Sequence, residues 1–311
     1  MDILWPIKWL IELILRTFHS VFNTGDALYG AGVTWVLSIV CLVLVVRAAL
    51  IPVFVRQIKG QRNMMLVQPE LAKLQKKYKG KTDRESREKM AQEQMELYKR
   101  TGSNPLSSCL PILLQMPIFF SLFSVLSTAS HGQAGVAFID ETMAKSFQNA
   151  AFLGAPLKDS LSTAQGNTAV YVLGITMIIL MSASQFITQK QIMAKNQNAA
   201  TMNTQYMQTQ KIMLYIFPVI FAISGIAFPL GLMFYWLTSN FWTMGQQYFV
   251  IRRMPTPGSK AFAEREERLA KKGKLGKAID ELEAEAEEID IIRENSQRAQ
   301  PVSKKRQKKR K

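Results

Sequence analysis

Cysteine and histidine are nearly absent from this chain. Its 311 residues include 2 cysteines, Cys41 and Cys109, and 2 histidines, His19 and His131. Both cysteines stand within apolar runs and the histidines are isolated, which excludes a disulfide framework and leaves a metal ion without a ligand set. The nucleotide-binding pattern GxxxxGK[ST] is also missing. We therefore expect no metal and no cofactor.

Acidic residues are the second scarcity, and they avoid the apolar runs. The chain carries 39 Lys and Arg against 23 Asp and Glu, a formal net charge of +16, and is 48% hydrophobic. Five windows without Asp or Glu are long and apolar enough to cross a bilayer. These windows cover about residues 32–55, 106–128, 169–188, 212–229 and 231–250. The pattern predicts an all-α, polytopic membrane protein of five spans with a core over 32–250.

The basic residues are concentrated in alternate connecting segments. Segments 1–31 and 129–168 together hold 4 Lys and Arg, whereas segments 56–100, 189–211 and 251–311 hold 34. Because Lys and Arg mark the cytoplasmic side of membrane proteins, this distribution predicts an external N-terminus and a cytoplasmic C-terminus.

The first 31 residues have an amphipathic pattern. Polar residues recur at helical spacing opposite an apolar face, and two tryptophans can anchor the helix at the membrane surface. The polar residues are Lys8, Glu12, Arg16 and His19, and the tryptophans are Trp5 and Trp9. We predict an interfacial helix and linker rather than a spanning segment, which would immerse four polar groups.

Two basic segments lie on the predicted cytoplasmic side. Residues 57–100 are typical of a helical hairpin that bends at KYKGKTD. This hairpin binds anionic headgroups or an RNA-rich partner, or else it is a solvated coil without a partner. Residues 251–311 are expected to be largely disordered, with a terminal cluster suited to ribosomal RNA or lipid phosphate. The cluster consists of Lys304, Lys305, Arg306, Lys308, Lys309, Arg310 and Lys311.

Arg47 interrupts the first apolar window, in the stretch LVLVVRAALIP. It stands nine residues before Arg56, or about 13 Å along a helix. A central arginine costs roughly 2.5 to more than 10 kcal/mol in a bilayer, and the five windows hold no carboxylate to pair with it. We therefore predict a hydrated cavity around Arg47. Candidate lining residues are Gln115, Ser182, Ser184, Gln185, Ser239 and Asn240, which alternatively serve only to hydrogen-bond the helices together.

Several stretches together resemble one family. They are RAALIPVFVRQIKGQRNMMLVQPELAKLQKKY, LYKRTGSNPLSSCLPILLQMPIFFSLF, KIMLYIFPVIFAI and GLMFYWLTSNFWTMGQQYFVIRR. Across about residues 32–253 the chain is similar to the YidC/Oxa/Alb family of membrane protein insertases. The order and spacing of Asn-Pro, Pro and Gln-Met-Pro in NPLSSCLPILLQMPIF make this resemblance quite specific.

The resemblance implies a non-enzymatic insertase and chaperone of the bacterial plasma membrane. Its five core helices would surround a hydrophilic groove that contains Arg47, with Gln185 and Trp236 in the groove wall. Implied partners are nascent membrane protein clients, the ribosome, the SecYEG translocon, the signal recognition particle receptor and anionic lipids. The chain looks like the short form without a large external domain.

Two other classes of function stay open at this point. One is a small-molecule or ion transporter with Arg47 as an anion site, although five unequal spans without an internal repeat argue against it. The other is a membrane anchor for a cytoplasmic assembly, for which Arg47 would be dispensable.

Overall fold

The computed structural model describes residues 2–23, 30–101, 110–195, 205–256, 258–273 and 276, and most of these are helical. Between α6 and α7 the chain forms a short antiparallel strand pair and a 3-10 helix, Leu161–Thr163. The elements in chain order are α1 (Trp5–Phe22), α2 (Gly30–Ala49), α3 (Ile51–Lys77), α4 (Arg84–Arg100), α5 (Leu110–Ser130), α6 (Glu141–Asn149), β1 (Ala151–Phe152), β2 (Ala155–Pro156), α7 (Thr168–Lys195), α8 (Gln205–Ala227), α9 (Leu230–Arg253) and α10 (Lys260–Ala270).

Among the described residues, 4 helical stretches are long and apolar enough to cross a membrane: Gly30–Ala49, Leu113–Ser130, Thr168–Lys195 and Gln210–Ala227. The predicted fold class, an all-α polytopic membrane protein, is confirmed. The fifth predicted span coincides with α9, whose 24 residues extend over about 36 Å. Ser239, Asn240 and two glutamines lower its hydropathy, so α9 is not among these four and the fifth span stays a prediction.

The chain divides into two compact units. The first, which we call the core unit, comprises Met1–Val55, Cys109–Met193 and Thr209–Val250. The second, the hairpin unit, comprises Arg56–Ser108, Ala194–Gln208 and Ile251–Lys311.

The core unit contains a continuous apolar interior around the start of α9. Leu232 and Tyr235 of α9 belong to the same buried cluster as Trp35 and Ile39 of α2 and Leu122 of α5. Because residues from several faces of α9 are buried here, this helix has packing partners around most of its first two turns.

One end of the core unit is covered by α1 and residues 131–167, and we call it the capped end. Ile11 and Leu15 of α1 and Phe147 of α6 are buried in the core cluster together with Trp35. Two residues on the polar face of α1 are buried against other parts of the core unit. Glu12 is 0% exposed because it meets backbone amides of the loop after α5, and His19 is 9% exposed because it lies against the Trp35 ring of α2.

The first predicted span, residues 32–55, is divided in the structure. Helix α2 ends at Ala49, only two residues after Arg47, and α3 begins at Ile51. Pro52 explains the interruption, because proline has no N–H to donate and its ring crowds the carbonyl four residues earlier. The 13 Å spacing between Arg47 and Arg56 assumed a continuous helix, which is interrupted at Leu50.

In the hairpin unit, α3 and α4 share a small apolar core of Met64, Val67, Leu71, Leu97 and Tyr98. The Asp83 carboxylate accepts a hydrogen bond from the Ser86 N–H at 2.8 Å and so caps the start of α4. The Lys77 ammonium lies 2.7 Å from Glu93 and, with the Tyr78 hydroxyl at 2.8 Å, lowers the pKa of that carboxylate. These polar contacts join the two helices next to their connection.

Part of the segment after α9 is helical. Helix α10 occupies Lys260–Ala270, and the Ser259 hydroxyl caps it by accepting from the Phe262 N–H at 3.2 Å. The Lys195 ammonium lies 3.2 Å from Glu264 of this helix. A serine cap and an ion pair therefore order a segment whose charge pattern alone predicts a coil. The basic cluster at 304–311 lies outside the described residues.

Candidate functional site

Arg47 lies in the last turn of α2 and points to α9. Its guanidinium donates a hydrogen bond to the Ser239 hydroxyl, and its central carbon lies 5.3 Å from the centre of the Phe54 ring. The side chain is half-buried, and none of the carboxylates that the structure describes forms an ion pair with it. Since a guanidinium has several N–H donors, one hydroxyl leaves most of them for water or an incoming group.

Tyr235 extends this contact toward α5. It stands one helical turn before Ser239 on α9, and its hydroxyl accepts a hydrogen bond from the Gln115 amide. The Arg47 charge also acts electrostatically on Tyr235. Arg47, Ser239, Tyr235 and Gln115 thus form a polar cluster, named here the Arg47 cluster, that joins α2, α9 and α5. Sequence reasoning missed Tyr235, because an aromatic residue in the run LMFYWL is typical of ordinary packing.

A second polar contact joins α9 to α7. The Asn240 amide donates to the Met181 carbonyl at 3.4 Å, and the Ser184 hydroxyl donates to the same carbonyl at 2.9 Å. Both side chains are buried. Ser182 donates to the Pro218 carbonyl of α8 at 3.4 Å. Asn240 and Ser182 therefore hydrogen-bond helices together, as the alternative interpretation of the sequence allows, whereas the bond of Ser184 lies within α7.

Trp236 lies in an aromatic cluster. Its ring centre is 4.9 Å from Phe221 of α8, 5.4 Å from Phe119 of α5 and 5.5 Å from Phe228. Such edge-on and tilted contacts stabilise the meeting point of α5, α8 and α9. Gln185 is half-buried on α7, next to Ser184. The structure thus distributes the predicted groove residues over an Arg47 cluster, an α7–α9 contact and an aromatic cluster.

An apolar surface extends along α7 and α8. Val172 and Ile179 of α7 and Val219 and Ile223 of α8 are each more than half exposed. Large exposed apolar areas mark lipid or partner contact in proteins. In a membrane protein this surface is suited to meet acyl chains or an apolar helix.

The hydrogen bond between Gln115 and Tyr235 gives a first prediction. We expect Tyr235→Phe to lower the free energy of unfolding by about 1–2 kcal/mol, because it leaves a half-buried amide without its acceptor. The measurement is unfolding in mixed micelles with increasing SDS, for Tyr235→Phe, Gln115→Leu and the double variant.

The double-mutant cycle separates this bond from general packing. A coupling energy of about 0.5 kcal/mol or more between positions 115 and 235 is expected for residues in contact. Tyr215→Phe is the matched control, since Tyr215 is 67% exposed on α8 and its change should be neutral. Strictly additive changes in the free energy of unfolding would contradict a hydrogen bond between Gln115 and Tyr235.

Comparisons with known proteins show the family of the chain. Residues 27–257 match the family described as 60Kd inner membrane protein. Proteins named "Membrane protein insertase YidC" are similar to the chain over most of its length. One from Streptomyces avermitilis is 48% identical over 276 residues, one from Tropheryma whipplei strain Twist is 42% identical over 320 residues, and one from Bifidobacterium longum is 36% identical over 319 residues.

The coverage of these relatives differs. The matched region is 86% of this chain but 61% of the Streptomyces protein, whereas it is 99% of this chain and 97% of the Tropheryma protein. For the Bifidobacterium protein the shares are 98% and 95%. The matched family region contains Arg47 and all the other residues of the Arg47 cluster. The chain therefore belongs to the 60Kd inner membrane protein family, which is the YidC/Oxa/Alb family that its motifs predict.

Proposed function

We propose that this protein is a membrane protein insertase that moves polar segments of client proteins across the membrane and releases their apolar helices into lipid. The observation that supports this most directly is the half-buried Arg47, bonded to a serine hydroxyl and without an ion pair to any described carboxylate. An ionisable group placed within a membrane segment marks a functional site by default.

The mechanism is physical and needs no covalent step. Water that solvates the remaining Arg47 donors makes the region around the Arg47 cluster a hydrated groove, with Gln185 and Trp236 in its wall. A hydrated groove shortens the apolar barrier that a polar segment has to cross. The positive charge of Arg47 attracts Asp or Glu residues of that segment while they pass.

The client's apolar helix supplies the driving force. It leaves the groove along the exposed apolar surface of α7 and α8, where Val172, Ile179, Val219 and Ile223 offer no polar group to retain it. Transfer into lipid contributes about 25 cal/mol per Å² of apolar surface removed from water. A client helix that spans the bilayer therefore provides enough free energy without nucleotide hydrolysis.

The proposed topology rests on the distribution of charge, and the proposed partners rest on the family to which the chain belongs. We place the N-terminus outside and the C-terminus in the cytoplasm of a bacterial cell, since 34 of 39 Lys and Arg occupy the segments assigned to the cytoplasmic side. The nascent chain, the ribosome, the SecYEG translocon, the signal recognition particle receptor and anionic lipids are the proposed partners.

Reconstitution tests this function. Purified protein in liposomes should insert a single-span client synthesised in their presence, as measured by protease protection of its translocated segment. Empty liposomes give the background. Uptake of a labelled small anion without insertion would instead favour the transporter.

The C-terminal basic cluster leads to a separate prediction. Deletion of residues 298–311 removes 8 of the 39 Lys and Arg, so binding to ribosomes or anionic vesicles should weaken at low salt. The difference should shrink at high salt, where surface charges are screened. Co-sedimentation at several salt concentrations measures it, and unchanged binding at low salt would exclude this role of the tail.

A further inference from the structure

A buried carboxylate joins α1 to the loop that follows α5. Glu12 is fully buried, and its oxygens accept hydrogen bonds from four consecutive backbone N–H groups. The distances are 2.7 Å to Val136, 2.8 Å to Ala137, 2.8 Å to Phe138 and 3.3 Å to Ile139. No cation of the described part of the chain forms an ion pair with it. Four backbone amides therefore compensate this charge.

The loop is shaped around the carboxylate. The Gly135 N–H donates to the Ile139 carbonyl at 2.8 Å, which closes residues 135–139 into a turn whose amides converge on Glu12. A side chain at position 135 would overlap a Glu12 oxygen, so this close approach requires glycine. Convergent backbone amides of this kind form anion-binding nests in proteins. Here the anion is a side chain of the same molecule.

The same face of α1 makes two more contacts with this loop. Trp9 packs edge-on against Phe138 with ring centres 5.0 Å apart, and the Arg16 guanidinium donates to the Phe138 carbonyl at 3.1 Å. Trp9, Glu12 and Arg16 follow one another at spacings of three and four residues, so they share one helical face. The residues of α1 that flank Glu12 on either side therefore both contact Phe138.

Beneath this contact, α1 closes over the apolar core. Ile11 and Leu15 are buried in the cluster that also contains Trp35, Leu122 and Tyr235. The hydroxyl of Tyr235 belongs to the Arg47 cluster, so this apolar cluster adjoins the Arg47 cluster and extends from there to the capped end. Water in the proposed groove would have to pass through this packed region to cross the protein.

We propose that Glu12 is a positioning residue that holds α1 and residues 135–139 together and so keeps the capped end closed to water and ions. This role rests on the proposed function, because a seal matters only if the opposite end is hydrated. The negative charge of Glu12 explains the convergence of these amides better than apolar packing does. A buried carboxylate is costly unless its acceptors are filled, and four amide bonds fix a loop that has no strand or helix of its own.

Proton leak and client insertion test the proposal side by side. Glu12→Gln keeps the size of the side chain and removes the charge. We expect it to raise proton leak through proteoliposomes several-fold under a potassium diffusion potential, measured with a trapped pH dye. Amides 136–139 should exchange hydrogen about tenfold faster, as expected when a charge-assisted contact is weakened. Insertion of a single-span client should fall less than the leak rises.

Two further variants complete the design. Glu12→Asp keeps the charge but shortens the side chain, and it should leak less than Glu12→Gln. Glu141→Gln is the matched control, since Glu141 is an exposed acid on α6 at the same end. Faster exchange at 136–139 with leak equal to wild type would overturn the seal, as would equal leak in the Glu12 and Glu141 variants. Failure of the proposed function would look different, because the unmodified protein would then insert no client.

Discussion

Insertion of clients whose translocated segment carries Asp or Glu is expected to slow about tenfold when Arg47 is replaced by Ala. Two opposite charges 4 Å apart attract by about 4 kcal/mol at the effective dielectric of a protein surface, and removing their water offsets much of this. A net loss of about 1.4 kcal/mol in the rate-limiting passage corresponds to tenfold. The measurement is the initial rate of protease protection in proteoliposomes.

Three comparisons test whether the slower insertion is caused by loss of the Arg47 charge within the membrane segment. Arg47→Lys should retain most of the rate, because a hydrated cation matters here more than the shape of the guanidinium. Arg56→Ala removes an equal charge from an exposed position of α3 and should leave the rate unchanged. A client whose polar segment lacks acidic residues should be affected less than the acidic client.

The results with these variants and clients distinguish an insertase from a membrane anchor and from an anion transporter. Equal slowing of acidic and neutral clients would contradict charge attraction and assign Arg47 to the structure of the α2–α9 contact, where it bonds Ser239. No change with any client would favour a membrane anchor. Loss of small-anion uptake together with normal insertion would point to an anion site.

The sequence predicted Arg47 and Ser239 as members of one site for different reasons. Arg47 was identifiable because a cation in an apolar run lacks any carboxylate partner in the spans, and Ser239 was identifiable as a polar residue in such a run. Tyr235 was not, since an aromatic residue within LMFYWL is typical of ordinary packing. Only the position of Gln115 on a neighbouring helix gives the Tyr235 hydroxyl its role.

The capped end was less predictable. Helical spacing correctly places Glu12 and Arg16 on one face of α1, but periodicity does not state whether that face meets water or protein. The partners of Glu12 are backbone amides more than 120 residues away, and backbone groups leave no mark in the sequence. The same limit applies to α10, an 11-residue helix with a serine cap in a segment of mixed charge.

The polar residues of α9 explain why its apolar signal is weaker than that of the other predicted spans. Helix α9 is long enough to span a bilayer, yet it is less apolar than its neighbours because it carries the serine, asparagine and tyrosine that bond α2, α5 and α7. Those side chains are turned toward protein rather than lipid. Polar residues on a helix that is packed against others can therefore serve to hydrogen-bond the helices together.

A single methyl group at Gly32 is expected to destabilise the capped end. Gly32 lies in the first turn of α2, where a β-carbon would overlap the Ala151 carbonyl and lie 2.9 Å from the Phe152 nitrogen. Both atoms are backbone of β1, which is paired with β2 and cannot yield as a flexible side chain would. Inserting a carbon into such a contact costs about 1–3 kcal/mol and occasionally more, so Gly32→Ala should lower the free energy of unfolding by at least that amount.

Gly245→Ala is the matched control for this prediction. Gly245 also lies within a helix of the core unit, but a β-carbon there meets nothing within 4 Å. Alanine favours helix over glycine by up to about 1 kcal/mol, so this variant should be as stable as the unmodified protein or slightly more stable. Unfolding in mixed micelles compares the two. Equal stability of both variants would mean that α2 and β1 do not approach as closely as the structure places them, and the contact that closes the capped end beside Trp35 would then have to lie elsewhere.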